Sequence, residues 1–318
     1  MEDLYTDEYP ESWWLLMPSA GLPRGAVRKL DVLGRALVLY RTTSGKVAAM
    51  DRYCPHMGAS LAAGRVAGES IVCPFHAWEY DTSGVCTRIP YMEGGKIPPG
   101  ARVPAIPVVE HLGWIWLYHG EKPAFELPDV PEARDPKYWM RHKTHQFRMH
   151  PLVILENAAD LQHFRTVHHV PATNVKWEIL REEPHAFEFV VTQDVPNRKG
   201  GATTVTTQFL YPGPSVIFGT LKIGKRMLAR FIAAPMPTSS EEITLHLIVI
   251  GKGLPGWRKV FNPVYSWFLA RKLYQGATDD YGPVWQHQNP HRRKVLVEDD
   301  RLQQKYRQYY RSRIALRS

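Results

Sequence analysis

The chain has 318 residues, 44% of them hydrophobic, and a formal net charge of +9. That length and apolar content are enough to bury the core of one large domain or two ordinary ones, and they exclude a disordered chain. Charge alone leaves nucleic acid, an anionic membrane surface or an acidic protein as partners, but no arginine-rich run interleaved with aromatics forms a nucleic-acid motif.

The opening MEDLYTDEYPESWW is acidic and lacks the basic and apolar regions of a secretory signal, so residence in the cytoplasm is expected. From Trp13 to about Gly120 the chain reads as strand and turn. ALVLYRTTSGKVAAMD has two β-type runs joined at Ser44-Gly45, and GWIWLYHG closes the region with alternating aromatics. Within it stand Cys54-Pro55-His56 and Cys73-Pro74-Phe75-His76, each at a turn after a strand-like run. The prolines limit backbone freedom inside each loop, and Gly58 and the Ala-Gly-rich segment to Gly68 let the loops approach closely. Two thiolates and two imidazoles hold either tetrahedral zinc or a [2Fe–2S] cluster with both cysteines on one iron and both histidines on the other. Zinc modules commonly pair like with like along the chain. Here each loop donates one of each, which suits a cluster with unlike ends. Cys86 has no ligand partner nearby and reads as a packed or free thiol, and three cysteines in so long a chain make no disulfide scaffold.

The proline- and charge-rich stretch Glu121 to Lys137 is the natural boundary, giving domains 1–120 and 121–318. Beyond it, Leu155 to His169 reads LENAADLQHFRTVHH, with Asp160 three residues before His163 and His168 five after it. Five residues of regular helix turn the chain through roughly 500°, so the two rings face one ion only if the helix ends or distorts between them. The β-branched pair Thr166-Val167 supplies that break. Two neutral imidazoles and a carboxylate from elsewhere, with coordination positions left open, suit non-haem Fe(II); the competing reading is a solvated or hydrogen-bonded histidine face. The runs AFEFVVTQD, ATTVTTQFL, SVIFGT, MLARFIAAP and EITLHLIVIG then read as an antiparallel sheet. The longest of these apolar runs is about half what a membrane-spanning helix needs. From Trp257 to His287 the pattern is helical, with Phe261, Val264, Tyr265, Phe268, Leu269 and Leu273 on one side, which is expected to pack over the sheet. The basic tail around Tyr306, Tyr309 and Tyr310 reads as a solvated helix face or a docking surface.

With LAAGRVAGESIV between the loops and AWEYDTSG after them, the first motif resembles the Rieske cluster-binding motif. The second matches N-x2-D-x2-H-x4-H as Asn157, Asp160, His163 and His168. Over nearly its whole length the chain is similar to the α (terminal oxygenase) subunits of Rieske non-haem iron oxygenases. The resemblance implies an α+β protein with an all-β Rieske domain over 1–120 and a helix-grip catalytic domain over 121–318, an antiparallel sheet around a long carboxy-terminal helix. It implies a [2Fe–2S] cluster on Cys54, His56, Cys73 and His76. A mononuclear Fe(II) falls to His163, His168 and an aspartate late in the helix. ATDDYGPVWQH offers Asp279 and Asp280 for that place, and Asp280 is chosen, although Trp285 follows it by five positions where relatives carry an aromatic or apolar residue three or four on. Asp160 takes the family's bridging role between a cluster histidine and an iron-ligating histidine of neighbouring subunits, and Asn157 is a candidate lining residue of the iron site. No cysteine pair ties the two loops, which points to the oxygenase branch.

By the same resemblance a ferredoxin and its reductase pass electrons from NAD(P)H, the assembly is a homotrimer, and the substrates are O2 and a bulky, mostly apolar small molecule. Hydroxylation by a monooxygenase is the expected reaction, with desaturation, O- or N-demethylation or aromatic-ring dihydroxylation as alternatives. Phe209, Val216, Phe218 and Leu247 are candidates to line the pocket. A bare Rieske electron carrier needs only the first domain, a zinc protein is colourless, and an apolar-ligand carrier on the same grip fold consumes no O2.

Overall fold

Alternating runs such as RALVLYR and AFEFVVTQD become strands because their apolar residues fall on one face at a period of two. The computed structural model describes residues 4–92, 94–197, 200–278, 284–285, 287–289 and 295–314. These form two units, one of Trp13–Pro123 and one of Met1–Ser12 with Ala124–Ser318.

The first unit holds three small sheets. β1 (Ser12–Pro18) pairs with β11 (Trp114–His119), which pairs with β10 (Val108–His111). β2 (Val27–Val32), β3 (Arg35–Arg41), β4 (Val47–Asp51) and β9 (Ala105–Ile106) form the second sheet. β5 (Arg65–Ala67), β6 (Ser70–Val72), β7 (Glu79–Tyr80) and β8 (Cys86–Arg88) form the third. Leu33 and Gly34 both take positive φ, 54° and 69°, as the two-residue hairpin between β2 and β3 demands. Val38, Tyr40, Met50, Leu61, Ile71 and Tyr80 make a core that closes around Cys54 and Cys73.

The second unit is built on one seven-stranded antiparallel sheet in the order β12-β18-β17-β16-β15-β14-β13. Its strands are β12 (Tyr138–Arg148), β13 (Thr173–Glu183), β14 (Ala186–Pro196), β15 (Ala202–Pro212), β16 (Ile217–Ile223), β17 (Arg226–Pro237) and β18 (Glu242–Lys252). β13 to β18 follow one another as hairpins, and β12 adds beside β18. Because β12 and β13 are opposite edges, the chain between Arg148 and Thr173 must cross the sheet, about 29 Å for six inter-strand steps. That crossing carries α1 (Pro151–Asn157) and α2 (His163–Thr166), with α1 against β17. Phe187, Phe189, Phe209, Tyr211, Leu245 and Leu247 meet this layer from the sheet side.

Two helices complete the unit, α3 (Asn262–Thr278) and α4 (Arg301–Ile314). α4 buries Leu302, Tyr306, Tyr309 and Tyr310, so the tail tyrosines are core, while Arg301 and Lys305 stand on its solvated side. α3 does lie over the sheet, but its buried side is Ser266, Ala270 and Tyr274. Phe261, Val264 and Phe268, expected inside, are exposed. The edge strands β12 and β13 carry no apolar alternation in sequence, because YWMRHKTHQFR buries only Phe147 and TNVKWEILREE buries nothing. Among the described residues no helix is long and apolar enough to cross a membrane.

Candidate metal centres

The two cysteine loops repeat one backbone design. Cys54 N–H donates to Ala59 O and Gly58 N–H to Cys54 O; in the second loop Cys73 N–H donates to Trp78 O and Ala77 N–H to Cys73 O. The fifth residue of each is left-handed, Gly58 at φ 71° and Ala77 at φ 55°. The loops differ in where the histidine sits, two residues after Cys54 and three after Cys73. The imidazoles meet with ring centroids 4.6 Å apart, and Cys54 neighbours Cys73. The backbone N–H groups of Phe75 and His76 point at the Cys73 sulfur, while burial and then Cys54 push its thiol pKa up. His56 Nδ1 is buried with no hydrogen-bond partner among the described residues. Two sulfurs together, two rings together and an orphaned ring nitrogen form a donor set that fits a Rieske-type cluster. Cys86 is a buried free thiol.

Residues outside the loops complete this site. Trp78 stacks on His56 at 4.6 Å and 9°, and its Nε1 donates to Tyr91 Oη at 2.8 Å. The Tyr80 hydroxyl lies 3.0 Å from Cys54 Sγ. Burial, reinforced by Cys54, raises the Tyr80 pKa, so the phenol keeps its proton and can donate it to Cys54 Sγ when that sulfur is a metal-bound thiolate. The signal for both was their alternation in AWEYDTSG straight after the second loop.

In the second unit, α1 begins at His150, whose Nδ1 accepts from Leu152 N–H and whose Nε2 donates to Thr6 O; Pro151 occupies the first helical position. Tyr9 stacks on His150 at 6.0 Å. α1 ends at Asn157, half-buried, so this polar residue closes the helix. Asp160 Oδ1 then accepts from Gln162 N–H at 3.1 Å and His163 N–H at 3.4 Å, starting α2. α2 lasts one turn and stops at Val167, as the β-branched pair anticipates. His168 N–H reaches back to His163 O at 3.4 Å, a wider turn than the α-helix makes, and His169 has φ 51°. The break brings the rings of His163 and His168 to 5.4 Å at 72°.

His163 is buried, and burial, then His168, push its pKa down to about 3, so the imidazole is neutral and keeps a lone pair. Its Nδ1 is 4.0 Å from Asp160 Oδ1, beyond hydrogen-bond reach. Burial raises the Asp160 pKa, opposed by the two N–H groups it accepts and reinforced by Asp300. The neutral His163 imidazole with the His168 ring beside it fits a ferrous ion that takes a third ligand from elsewhere. Asp279 and Asp280 lie outside the described residues. Among the described residues no three His, Cys, Asp or Glu side chains close on one point.

Two cavities open on this unit. One of about 660 Å³ is lined by Leu161, Gln162 and Arg165 of the crossing segment with Trp177, Asp299 and Arg301. Another of about 470 Å³ lies between β12 and α3. Phe209 and Leu247, expected as pocket lining, are packed in the core of the sheet; Val216 and Phe218 are buried outside that cluster.

Fold and loops together define an iron–sulfur oxidoreductase of Rieske type with a second, sheet-based domain. Residues 12–107 match the Rieske [2Fe-2S] domain and residues 115–312 the 3-Ketosteroid 9alpha-hydroxylase C-terminal domain. The chain belongs to the Rieske oxygenases of this catalytic-domain family. It is 28% identical to cholesterol 7-desaturase nvd of Xenopus laevis, over 95% of this chain and 71% of that protein. It is 26% identical to the oxygenase component of 3-ketosteroid-9-alpha-monooxygenase of Rhodococcus rhodochrous, over 95% of this chain and 83% of that protein. The crystal structure of dicamba monooxygenase bound to dicamba superposes with a TM-score of 0.77 at 18% identity, covering 97% of this chain and 98% of that one, which shows a shared fold. The cofactors are a Rieske [2Fe–2S] cluster and a mononuclear non-haem iron, the latter also held by dicamba monooxygenase. As a Rieske oxygenase α subunit, the protein takes electrons from partner proteins and acts on an apolar substrate.

Proposed function

We propose that this chain is a terminal oxygenase that hydroxylates a bulky, mostly apolar molecule of steroid type. In this reading Cys54, His56, Cys73 and His76 hold the cluster, and His163, His168 and Asp280 hold the iron. The observation that carries it is the pairing of the His163 and His168 rings 5.4 Å apart at an abrupt helix end, on a chain that also bears the mixed sulfur–nitrogen loops. When bound, the cluster supplies electrons one at a time and the ferrous iron activates O2 for attack on a C–H bond.

The chain's own residues prepare that chemistry. Burial keeps His163 unprotonated and so able to ligate at any working pH. Asp160 fixes the start of α2 through two backbone N–H groups, and its remaining oxygen is the group that would reach a cluster histidine of a neighbouring subunit in a homotrimer. Tyr80 donates to a cluster sulfur, and Trp78 holds His56 by stacking. Asn157 stands at the end of α1, three residues before Asp160, where it would line the iron site. A ferredoxin and its reductase are the electron donors in this reading, and the cytoplasm is where they meet it.

Desaturation is a second reading, favoured by the likeness to a cholesterol 7-desaturase. The test is iron analysis and oxygen uptake on the purified holoprotein with a ferredoxin, its reductase and a panel of steroids. Iron in excess of the two cluster atoms, and steroid-dependent uptake, are expected. Iron equal to the cluster alone, with no uptake, removes the oxygenase site as assigned. Product mass separates a gained oxygen from lost hydrogen.

A further inference from the structure

The side of α3 turned away from the sheet is apolar, and so is the 3-10 turn Gly256–Phe261 before it. Trp257 is 76% exposed, Val264 68%, Trp267 55% and Phe268 53%. Val260, Val264, Trp267 and Phe268 recur at helical spacing and make one stripe. The opposite side of the helix is already occupied by Ser266, Ala270 and Tyr274 packed toward the sheet. A helix apolar on both sides is one that something covers on both sides.

The surroundings of the stripe say what covers it. Lys252, Arg258, Lys259, Arg271 and Lys272 flank it, and no Asp or Glu occurs from Lys252 to Thr278. The Arg258 guanidinium lies 5.9 Å from the Trp257 ring, that of Arg271 5.2 Å from Trp267, and Lys272 Nζ 5.0 Å from Phe268. The cations therefore ride on the aromatic rings at the rim of the stripe. Exposed tryptophan and phenylalanine bordered by cations, with no anion among them, is the make-up of a surface that lies in a lipid headgroup region.

We propose that this face docks the protein on an anionic lipid bilayer, with Trp257, Phe261, Val264, Trp267 and Phe268 at the headgroup–acyl boundary and the flanking Lys and Arg among lipid phosphates. A second copy meeting the patch face to face sets the same cations against each other. An anionic bilayer satisfies ring and charge at once. The cavity of about 470 Å³ lined by Trp267, Arg271, Ala270 and Tyr274 opens beside the stripe. An apolar substrate dissolved in lipid thus meets the protein on this side, a consequence that rests on the proposed function; the docking itself does not.

The experiment is co-sedimentation of the full-length holoprotein with phosphatidylcholine vesicles, with and without phosphatidylserine. Binding to the phosphatidylserine vesicles that salt weakens is expected. Trp257→Ser with Phe268→Ser, and separately Lys259→Glu with Lys272→Glu, are each expected to cut it about tenfold or more, with unchanged circular dichroism and melting temperature. All four side chains are exposed, so folding is not at stake. No binding to either vesicle overturns the proposal, as does binding that the variants leave intact. It is equally overturned if the variants instead dissolve an oligomer in lipid-free sedimentation velocity, or raise the KM for the electron donor while vesicle binding persists. Vesicle binding needs no turnover, so failure of the oxygenase reading and failure of the docking are read separately.

Discussion

Arg307, near the end of the chain, donates to Glu156 Oε2 at 2.9 Å, and the Tyr5 hydroxyl donates to the other oxygen at 2.5 Å. Both members of the ion pair are nearly dry, with side chains 11% and 9% exposed. Glu156 is the residue before Asn157, so one carboxylate ties the amino terminus and α4 to the helix that leads into the His163 turn. A buried carboxylate is tolerated because both oxygens are satisfied, and removing one partner leaves the charge stranded. Arg307→Met is expected to cost about 3 kcal/mol, read as a lowered denaturation midpoint, and adding Glu156→Gln to recover most of it. A single variant as stable as the parent shows the pair is no anchor.

Gly64 holds a second tight contact, this one beside the cluster loops. A Cβ there falls 2.1 Å from Val72 O and 3.0 Å from Leu61 O, backbone that has no rotamer to yield. Val72 is the residue before Cys73, so the displacement goes straight into the Cys73 loop. Gly64→Ala is expected to fold yet lose most of its visible cluster absorbance per protein. Gly68→Ala, in open space at φ 60°, is expected to cost about 1 kcal/mol and to keep its colour. Equal cluster content in the two variants removes the argument.

Much of this was readable from residue order, and the exceptions share a cause. β14 to β18 alternate because one face is core, whereas β12 and β13 are edges whose polar side chains meet water. The cysteine loops and the His163 break were readable because the candidate donors lie close in sequence, two, three or five residues apart. Tyr80 against Cys54 and Arg307 against Glu156 were not, since 26 and 151 residues separate the partners. The helical pattern expected from Trp257 to His287 holds as a 3-10 turn, Gly256–Phe261, and then α3, Asn262–Thr278, and its inner face is not the one expected. Periodicity finds an apolar stripe but does not say which of two stripes faces the sheet, and the outward one is the more apolar here.

Tyr80 stands where it would tune a cluster held by Cys54. A hydrogen bond to a ligand sulfur favours the more negative, reduced form, so its loss makes reduction harder. Tyr80→Phe is expected to keep the visible spectrum and lower the midpoint potential by roughly 50 mV. Voltammetry on the purified protein checks this. An unchanged potential shows that the hydroxyl does not donate to the sulfur.

His142 on β12 gives the stability a pH dependence. Its Nε2 lies 3.3 Å from His246 Nδ1 and 3.0 Å from Thr144 Oγ1, and burial pushes its pKa down to about 4 from the usual 6.5. The unfolded chain binds a proton near 6.5 that the folded one refuses until about 4, so the unfolded state holds more protons in that window. Stability is therefore expected to be full above about 6.5, to fall as pH drops through the window, and to level off below it. His142→Gln is expected to flatten the slope of melting temperature against pH between 7 and 4.5, about the range in which the imidazole titrates. A slope that the variant leaves unchanged assigns the effect to other groups.

Asp160 separates a structural role from an electron-transfer role. Its Oδ1 starts α2 by accepting two N–H groups, a cap whose loss costs about 1 kcal/mol, and it lies 4.0 Å from His163 Nδ1. Asp160→Ala is expected to keep cluster and iron loaded and to lose most turnover. Asp160→Asn retains an oxygen for the two backbone N–H groups but removes the charge. If the residue only caps α2, the asparagine variant turns over like the parent. If the carboxylate joins His163 to a cluster histidine of the next subunit, asparagine is expected to stay as slow as alanine, with single-turnover reduction of the iron slowed and both metal contents unchanged. Normal turnover in Asp160→Asn removes the bridging role and leaves the residue as a helix cap.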